Sequence, residues 1–205
     1  MEILSFVMTP FSENCYVILD GGEAMVIDPG EPAEELFKAL EGYKVTTLVN
    51  THAHIDHVGG NAAVKQRTNA EFVCHADAAE MLPSVPAQGR MFGIAVAPSP
   101  APDRLIAEGD TLKVGEVELR IVDVPGHAPG HIALIGDGFV IGGDVLFAGS
   151  IGRTDLPGGD FEQLMESIRT RLLVLPDDTV VLSGHGPATT IGNERNTNPF
   201  ILSAR

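Results

Sequence analysis

Val45-Thr46-Thr47-Leu48-Val49-Asn50-Thr51-His52-Ala53-His54-Ile55-Asp56-His57-Val58-Gly59-Gly60 runs from a β-branched apolar stretch straight into a turn crowded with imidazoles and a carboxylate. The first five residues read as a buried strand, and the rest as a loop at its end. His52 and His54 stand two apart, so an extended backbone presents both rings to the same side. Beyond them the chain turns, and Asp56 and His57 are presented from near the start of a helix, in a different direction. One loop can thus feed two adjacent metal positions. Three of the seven histidines of the chain lie in this window.

Working outward toward the N-terminus, Met1 to Met8 and Asn14 to Leu19 read as strands, Asp20-Gly21-Gly22-Glu23 as a tight turn and Ala24 to Ile27 as a third strand. Asp28-Pro29-Gly30 breaks the sheet, and Pro32 to Leu40 spaces Leu36, Phe37 and Leu40 at helical intervals. On the other side, Asn61 to Arg67 resumes as a helix, Glu71 to Cys74 as a strand and Asp77 to Leu82 as a short helix. From Pro83 to Asp103 five prolines leave no sustained period, which predicts a long loop, either a lid lining the site or a surface excursion. Strands follow at Thr111 to Val114, Val117 to Val122, Ile132 to Ile135 and Phe139 to Ile141, then a helix over Phe161 to Leu173 and a strand over Thr179 to Leu182. Both halves mix strands with covering helices, which points to two sheets face to face with helices outside, an αββα sandwich.

Composition narrows the class. The 205 residues are 44% apolar and 20% charged, which excludes a disordered, collagenous or coiled-coil chain, and no stretch approaches the ~20 apolar residues of a bilayer crossing. A formal charge of −15 with no stripe of Lys and Arg would repel a polyanion, so neither nucleic acid nor an anionic membrane is an expected partner. Cys15 and Cys74 each lie in an apolar run and read as small buried thiols. Met1 to Pro10 carries Glu2 where a secretion signal would be basic, and a cytoplasmic location is expected.

Further donors sit where predicted strands end: His127 in Pro125-Gly126-His127, Asp144 in Gly142-Gly143-Asp144, and His185 in Ser183-Gly184-His185-Gly186. Each alone would pass as a structural histidine or a turn former. Five imidazoles and two carboxylates together suit zinc, iron or manganese. His131 reads as supporting or structural, since Pro129 and Gly130 separate it from His127, and His75 as a surface or helix-start residue.

His52-x-His54-x-Asp56-His57 with His127, Asp144 and His185 resembles the complete ligand set of the metallo-β-lactamase superfamily, filled and in order from about Val45 to His185. The resemblance implies an α/β chain folded as a four-layer αββα sandwich, here one domain over residues 1–205. Within the superfamily the likeness is greatest to glyoxalase II-like hydrolases of the short bacterial type. Gly149-Ser150-Ile151-Gly152-Arg153-Thr154-Asp155 and Thr190-Ile191-Gly192-Asn193-Glu194-Arg195-Asn196-Thr197-Asn198-Pro199 are similar to that type. Asp144 argues against the commonest β-lactamases, which carry cysteine at that metal position.

By that resemblance His52, His54 and His127 hold one divalent ion, Asp56, His57 and His185 hold a second, and Asp144 bridges them. Zinc is the expected metal, with iron or manganese compatible. Two such cations bring the pKa of a shared water from ~15.7 toward ~7 and polarise a carbonyl under attack. Asp56 then has two duties, metal ligand and acceptor of the nucleophile's proton. The implied reaction is hydrolysis of a small-molecule thioester such as S-lactoylglutathione. The long form of the family adds a C-terminal helical domain and holds glutathione with a lysine and a tyrosine; the matching positions here are Arg153 and Asp155, and the chain ends at Arg205. Arg153 is expected either to bind a substrate carboxylate or to pair with Asp155 or Asp160. Arg195 reads as a surface or C-terminal packing residue. Two rival chemistries share the scaffold: a mononuclear-iron persulfide dioxygenase drawing on His52, His54 or His57, His127 and Asp144, and a lactonase. A binding module without catalysis is disfavoured by the complete ligand set. The oligomeric state stays open.

Overall fold

The computed structural model describes residues 1–203. Strands β1 (Glu2–Met8), β2 (Glu13–Asp20) and β3 (Glu23–Ile27) form an antiparallel meander, with Gly21 and Gly22 supplying the positive φ angles of its second turn. The chain then crosses through α1 (Glu34–Ala39) to β4 (Lys44–Val49), which lies parallel to β3. Helices α2 (Ile55–Val58) and α3 (Asn61–Thr68) lead to β5 (Glu71–His75), and α4 (Ala76–Met81) and α5 (Val85–Met91) to β6 (Arg104–Ile106), both again parallel. These six strands form one sheet in chain order.

Strands β7 (Thr111–Val114), β8 (Val117–Asp123), β9 (Ile132–Gly136) and β10 (Phe139–Gly143) form successive hairpins. A small separate hairpin follows, β11 (Leu146–Phe147) with β12 (Ser150–Ile151). Helix α6 (Phe161–Ser167) returns the chain to β13 (Val180–Ser183), parallel to β10, and β14 (Thr189–Thr190) closes the second sheet in the order β14-β13-β10-β9-β8-β7. Helices α7 (Ile191–Thr197) and α8 (Pro199–Ser203) cover it.

Three apolar layers confirm the four-layer order. Tyr16, Ile18, Met25 and Ile27 of the first sheet meet Leu119, Ile121, Leu134 and Ile141 of the second. Val17, Leu19, Val26 and Phe72 face the opposite way, toward Leu36, Val58, Val64 and Val85 of the first helical layer. Val140 and Val181 likewise pack on Leu164, Ile168 and Ile191. Strand β2 is therefore buried on both faces and reads as a continuous apolar run without polar alternation.

Several expectations are corrected. The segment Pro83 to Asp103 is not irregular throughout: Leu82–Ser84 is a 3-10 turn and Val85–Met91 is α5. Pro83 and Pro86 stand in the first turn of each, where a missing N–H costs nothing, so residues read as breakers act as starters. The helix expected over Phe161 to Leu173 is α-helical only to Ser167, and Ile168–Leu172 continues as a wider π-type turn. Strand β6 and helices α7 and α8 were absent from the sequence reading. Cys15 and Cys74 are free and buried, and no helix among the described residues is long and apolar enough to cross a membrane.

Candidate metal centre

The ends of β3, β4, β10 and β13 and the turn between β8 and β9 converge at one edge of the sandwich. A register shift between Ile141 and Gly143 carries β10 outward, setting Asp144 beside Gly184 and His185. There Gly184 is required by space: a Cβ would lie 2.1 Å from Asp144 Oδ1 and 2.8 Å from His57 Cε1.

All seven donors named from the sequence come together. One ligand atom from each of His52, His54 and His127 lies within 4.8 Å of the others, and the same holds for Asp56, His57 and His185. Asp144 stands between the sets, with Oδ1 3.4 Å from His57 Nε2 and Oδ2 3.6 Å from His127 Nε2 and 3.4 Å from His185 Nε2. Asp56 Oδ2 lies 3.3 Å from His185 Nε2. His52 Nε2, His57 Nε2 and Asp144 Oδ1 are buried without a hydrogen-bond partner, which a cation among them would satisfy. The donor set therefore fits metal ions.

The far sides of the rings are fixed. His127 Nδ1 donates to the Arg153 carbonyl at 2.7 Å and His185 Nδ1 to that of Phe11 at 3.1 Å, so both rings turn Nε2 toward the centre. His57 Nδ1 donates to Asp28 Oδ2 at 3.1 Å. The same carboxylate accepts from Thr51 N at 2.7 Å and Thr51 Oγ1 at 2.5 Å, and that hydroxyl lies 3.0 Å from His52 Nδ1. One donor atom from each of Asp28, His52 and His57 also lies within 4.8 Å of the others. That triad is the reverse face of the same rings, and its carboxylate is already engaged. Such outer partners orient metal-binding imidazoles.

Charge is divided sharply. Burial alone would raise Asp144, but the His57 and His185 rings beside it hold its carboxyl well below the usual range. Burial opposes a proton on His185, yet hydrogen bonds to Asp144 and Asp56 bring it up to about 10. His57 is likewise raised against its burial by Asp144 and Asp28. His54 is pushed down to about 4 by burial and by His127, and burial lowers His127 as well. The site thus offers neutral nitrogens on one side and an acid-paired set on the other.

The family model of the metallo-beta-lactamase superfamily matches residues 8–185. The chain belongs to that superfamily. Among its relatives, the hydroxyacylglutathione hydrolase GloC of Haemophilus influenzae is 41% identical over 210 residues, covering 99% of each chain. The BLEG-1 B3 metallo-beta-lactamase superposes with a TM-score of 0.91 at 35% identity, over 98% of this chain and 99% of that one. TTHA1623 in a di-iron-bound form gives 0.88 at 36%, over 96% and 99%. The metallo-beta-lactamase fold read from the sequence is thereby the fold of this chain.

A cavity of about 380 Å³ opens over His54, Asp56, His127, Asp144 and His185, walled by Phe11, Phe92, Phe147, Ile151 and Leu156. Helix α5, from the segment expected as a loop, lines it with Gln88, whose Oε1 accepts the Ile55 N–H at 3.2 Å and so ties that helix to the donor loop. Arg153 also lines the cavity, but its guanidinium is held by Asp155 through two hydrogen bonds of 2.7 Å. Arg195 bonds the Leu173 and Leu175 carbonyls and packs the C-terminal helices. His75 caps α4, accepting from Asp77 N at 3.1 Å. His131 is buried with its ring 4.5 Å from that of His52 and neither nitrogen bonded.

Sequence reasoning missed Asp28, Thr51 and Glu13. Asp28 was read as a sheet breaker; its position at the end of a strand parallel to β4 was the available signal. Glu13 is fully buried, with neither oxygen hydrogen-bonded and 3.8 Å from His57 Nδ1. Burial pushes its carboxyl up to about 10, so it stands neutral behind the centre. Gly30 makes that packing possible, since a Cβ there would lie 2.1 Å from Asp56 O and 2.6 Å from Glu13 Oε2.

Proposed function

We propose that this chain is a two-metal hydrolase that splits a small-molecule thioester, with S-lactoylglutathione as the first substrate to test. The observation that carries the reading is the pair of donor triads sharing Asp144 at the floor of one cavity. In it His52, His54 and His127 would hold one divalent ion and Asp56, His57 and His185 the other, with Asp144 between the two sets. Zinc, iron and manganese all suit the donors, and a di-iron relative supports iron. Such a pair of ions, when bound, supplies hydroxide at neutral pH and draws charge from the carbonyl under attack.

The remaining work falls to the chain's own groups. Asp56 Oδ2 accepts the proton of the attacking water; in the metal-free protein the hydrogen bond from His185 already brings this carboxyl below the usual range against the effect of burial. Water oxygen adds to the acyl carbon, the carbon–sulfur bond breaks, and the thiolate leaves to take up a proton. Phe11, Phe92 and Phe147 pack against the acyl and thiol arms and keep bulk water out. Arg153 binds a substrate carboxylate only by exchanging it for Asp155, so a doubly anionic glutathione arm gains little there.

The formal charge of −15 supports a small-molecule substrate over nucleic acid or a membrane surface. Two free buried cysteines support a cytoplasmic location. A shared apolar interior from Tyr16 to Ile141 supports one domain. The test is a thioester assay across chelation and reloading. Hydrolysis should vanish with chelator and return with zinc, iron or manganese; chelator-insensitive hydrolysis would refute the chemistry.

A further inference from the structure

The segment from Thr190 to Pro199 stands outside the metal chemistry, yet it contains a buried carboxylate with an unusual set of partners. Glu194, fully buried on α7, accepts from Gly149 N at 2.8 Å, Thr189 Oγ1 at 2.6 Å, Asn193 Nδ2 at 2.8 Å and Asn198 Nδ2 at 2.8 Å. Asn198, also fully buried, uses the same amide nitrogen to donate to the Ser150 carbonyl at 2.9 Å. The two side chains thus hold the β11–β12 hairpin at neighbouring residues, Glu194 at the Gly149 N–H and Asn198 at the Ser150 C=O.

That hairpin needs an external hold. It consists of two residue pairs, Leu146 with Ile151 and Phe147 with Ser150, and so short a ribbon has little stability of its own. Its other face is a wall of the cavity, through Phe147, Ser150 and Ile151. The Phe147 ring stands edge-on to His185 at 6.1 Å, and two residues beyond the hairpin the Arg153 carbonyl receives His127 Nδ1. Whatever fixes the turn therefore fixes the surface against which a substrate lies.

We infer that Glu194 and Asn198 are positioning residues: they latch the β11–β12 hairpin and thereby set substrate affinity from the far side of the wall. Each carboxylate oxygen of Glu194 serves two donors, Oε2 those of Gly149 and Asn198 and Oε1 those of Thr189 and Asn193, so an alanine at 194 takes the acceptor from the hairpin side and opens the latch. The inference deepens the hydrolase reading, and its kinetic arm rests on that reading.

The experiment compares Glu194→Ala and Asn198→Ala with Thr189→Val, which removes a partner of Glu194 that does not touch the hairpin. Three quantities are read on metal-loaded protein: metal content, amide exchange over residues 146–152, and kcat and KM for the thioester. The latch predicts unchanged metal content, faster exchange at Gly149 to Ile151, and KM raised about tenfold with kcat within about twofold for both latch variants, while Thr189→Val matches the parent. Equal shifts in all three variants, or wild-type exchange rates at Gly149 in Asn198→Ala, would overturn it. Should Glu194→Ala fail to fold, Asn198→Ala, which keeps the carboxylate, decides. Should the parent cleave no thioester, the hydrolase reading fails, and the exchange rates still decide the latch.

Discussion

Replacing Asp28 by asparagine tests whether the reverse face of the centre governs its metal affinity. Asp28 is 2% exposed and touches no proposed ion, yet its Oδ2 receives both His57 Nδ1 and the Thr51 hydroxyl, while Oδ1 receives Thr51 N. An asparagine keeps one acceptor oxygen. If that oxygen stays on Thr51 N, the amide NH2 faces His57 Nδ1–H, and the Thr51 hydroxyl must rotate to accept from it. Each hydrogen bond to a buried charge contributes about 1.5–3 kcal/mol, so losing the one to His57 and weakening that to Thr51 costs roughly 3 kcal/mol. For a chain of this size the metal-free melting temperature should fall by about 6–12 °C. Metal affinity at the Asp56–His57–His185 position should drop by about 10–100-fold, and less at the first position, where only the Thr51 contact to His52 is disturbed. Competition against a chromophoric chelator, run with thermal melts of the metal-free protein, reads both quantities. Wild-type affinity at both positions in Asp28→Asn would show that the reverse-face network is incidental.

Gly184→Ala should bind fewer than two ions per chain by elemental analysis, because its Cβ displaces the Asp144 carboxylate and the His57 ring; full loading would contradict the packing at that turn. Asp56→Asn should keep the fold, by circular dichroism, and lose most turnover; retained kcat would remove Asp56 from proton transfer. The metal-free protein should grow less stable as pH rises. The folded pKa of His185, about 10 against 6.5, gives stabilisation that is complete below pH 6.5 and fades as pH climbs toward 10, and Glu13, about 10 against 4.5, acts in the same direction. Melting temperatures of metal-free protein should therefore fall between pH 7 and 10, while metal affinity rises over that range as the His185 proton becomes easier to displace. A flat melting profile would contradict the charge assignment.

The donor loop was legible because its information is local. A β-branched strand leading into histidines at alternating positions specifies their direction whatever surrounds them, and the glycines flanking Asp144 and His185 mark sharp turns. The partners of those donors were not legible. Asp28 and Thr51 matter through a contact spanning 23 residues, and Glu13 reaches His57 across three intervening elements. Helix α5 was hidden by prolines that start helical turns when nothing N-terminal needs their N–H. The C-terminal motif was visible as a string, but its use was not, since Glu194 and Gly149 are 45 residues apart and only packing joins them. Arg153 was read with two fates, and its guanidinium lies on Asp155.

Two donor triads and a shared Asp144 are proposed to make one dinuclear centre. Metal-depleted protein titrated with zinc or ferrous iron, with bound metal counted by elemental analysis and S-lactoylglutathione cleavage followed at each step, tests it most directly. Two ions per chain and thioester cleavage that needs no oxygen are the expected outcome. One iron per chain, with oxygen uptake on a persulfide and no thioester cleavage, would contradict it.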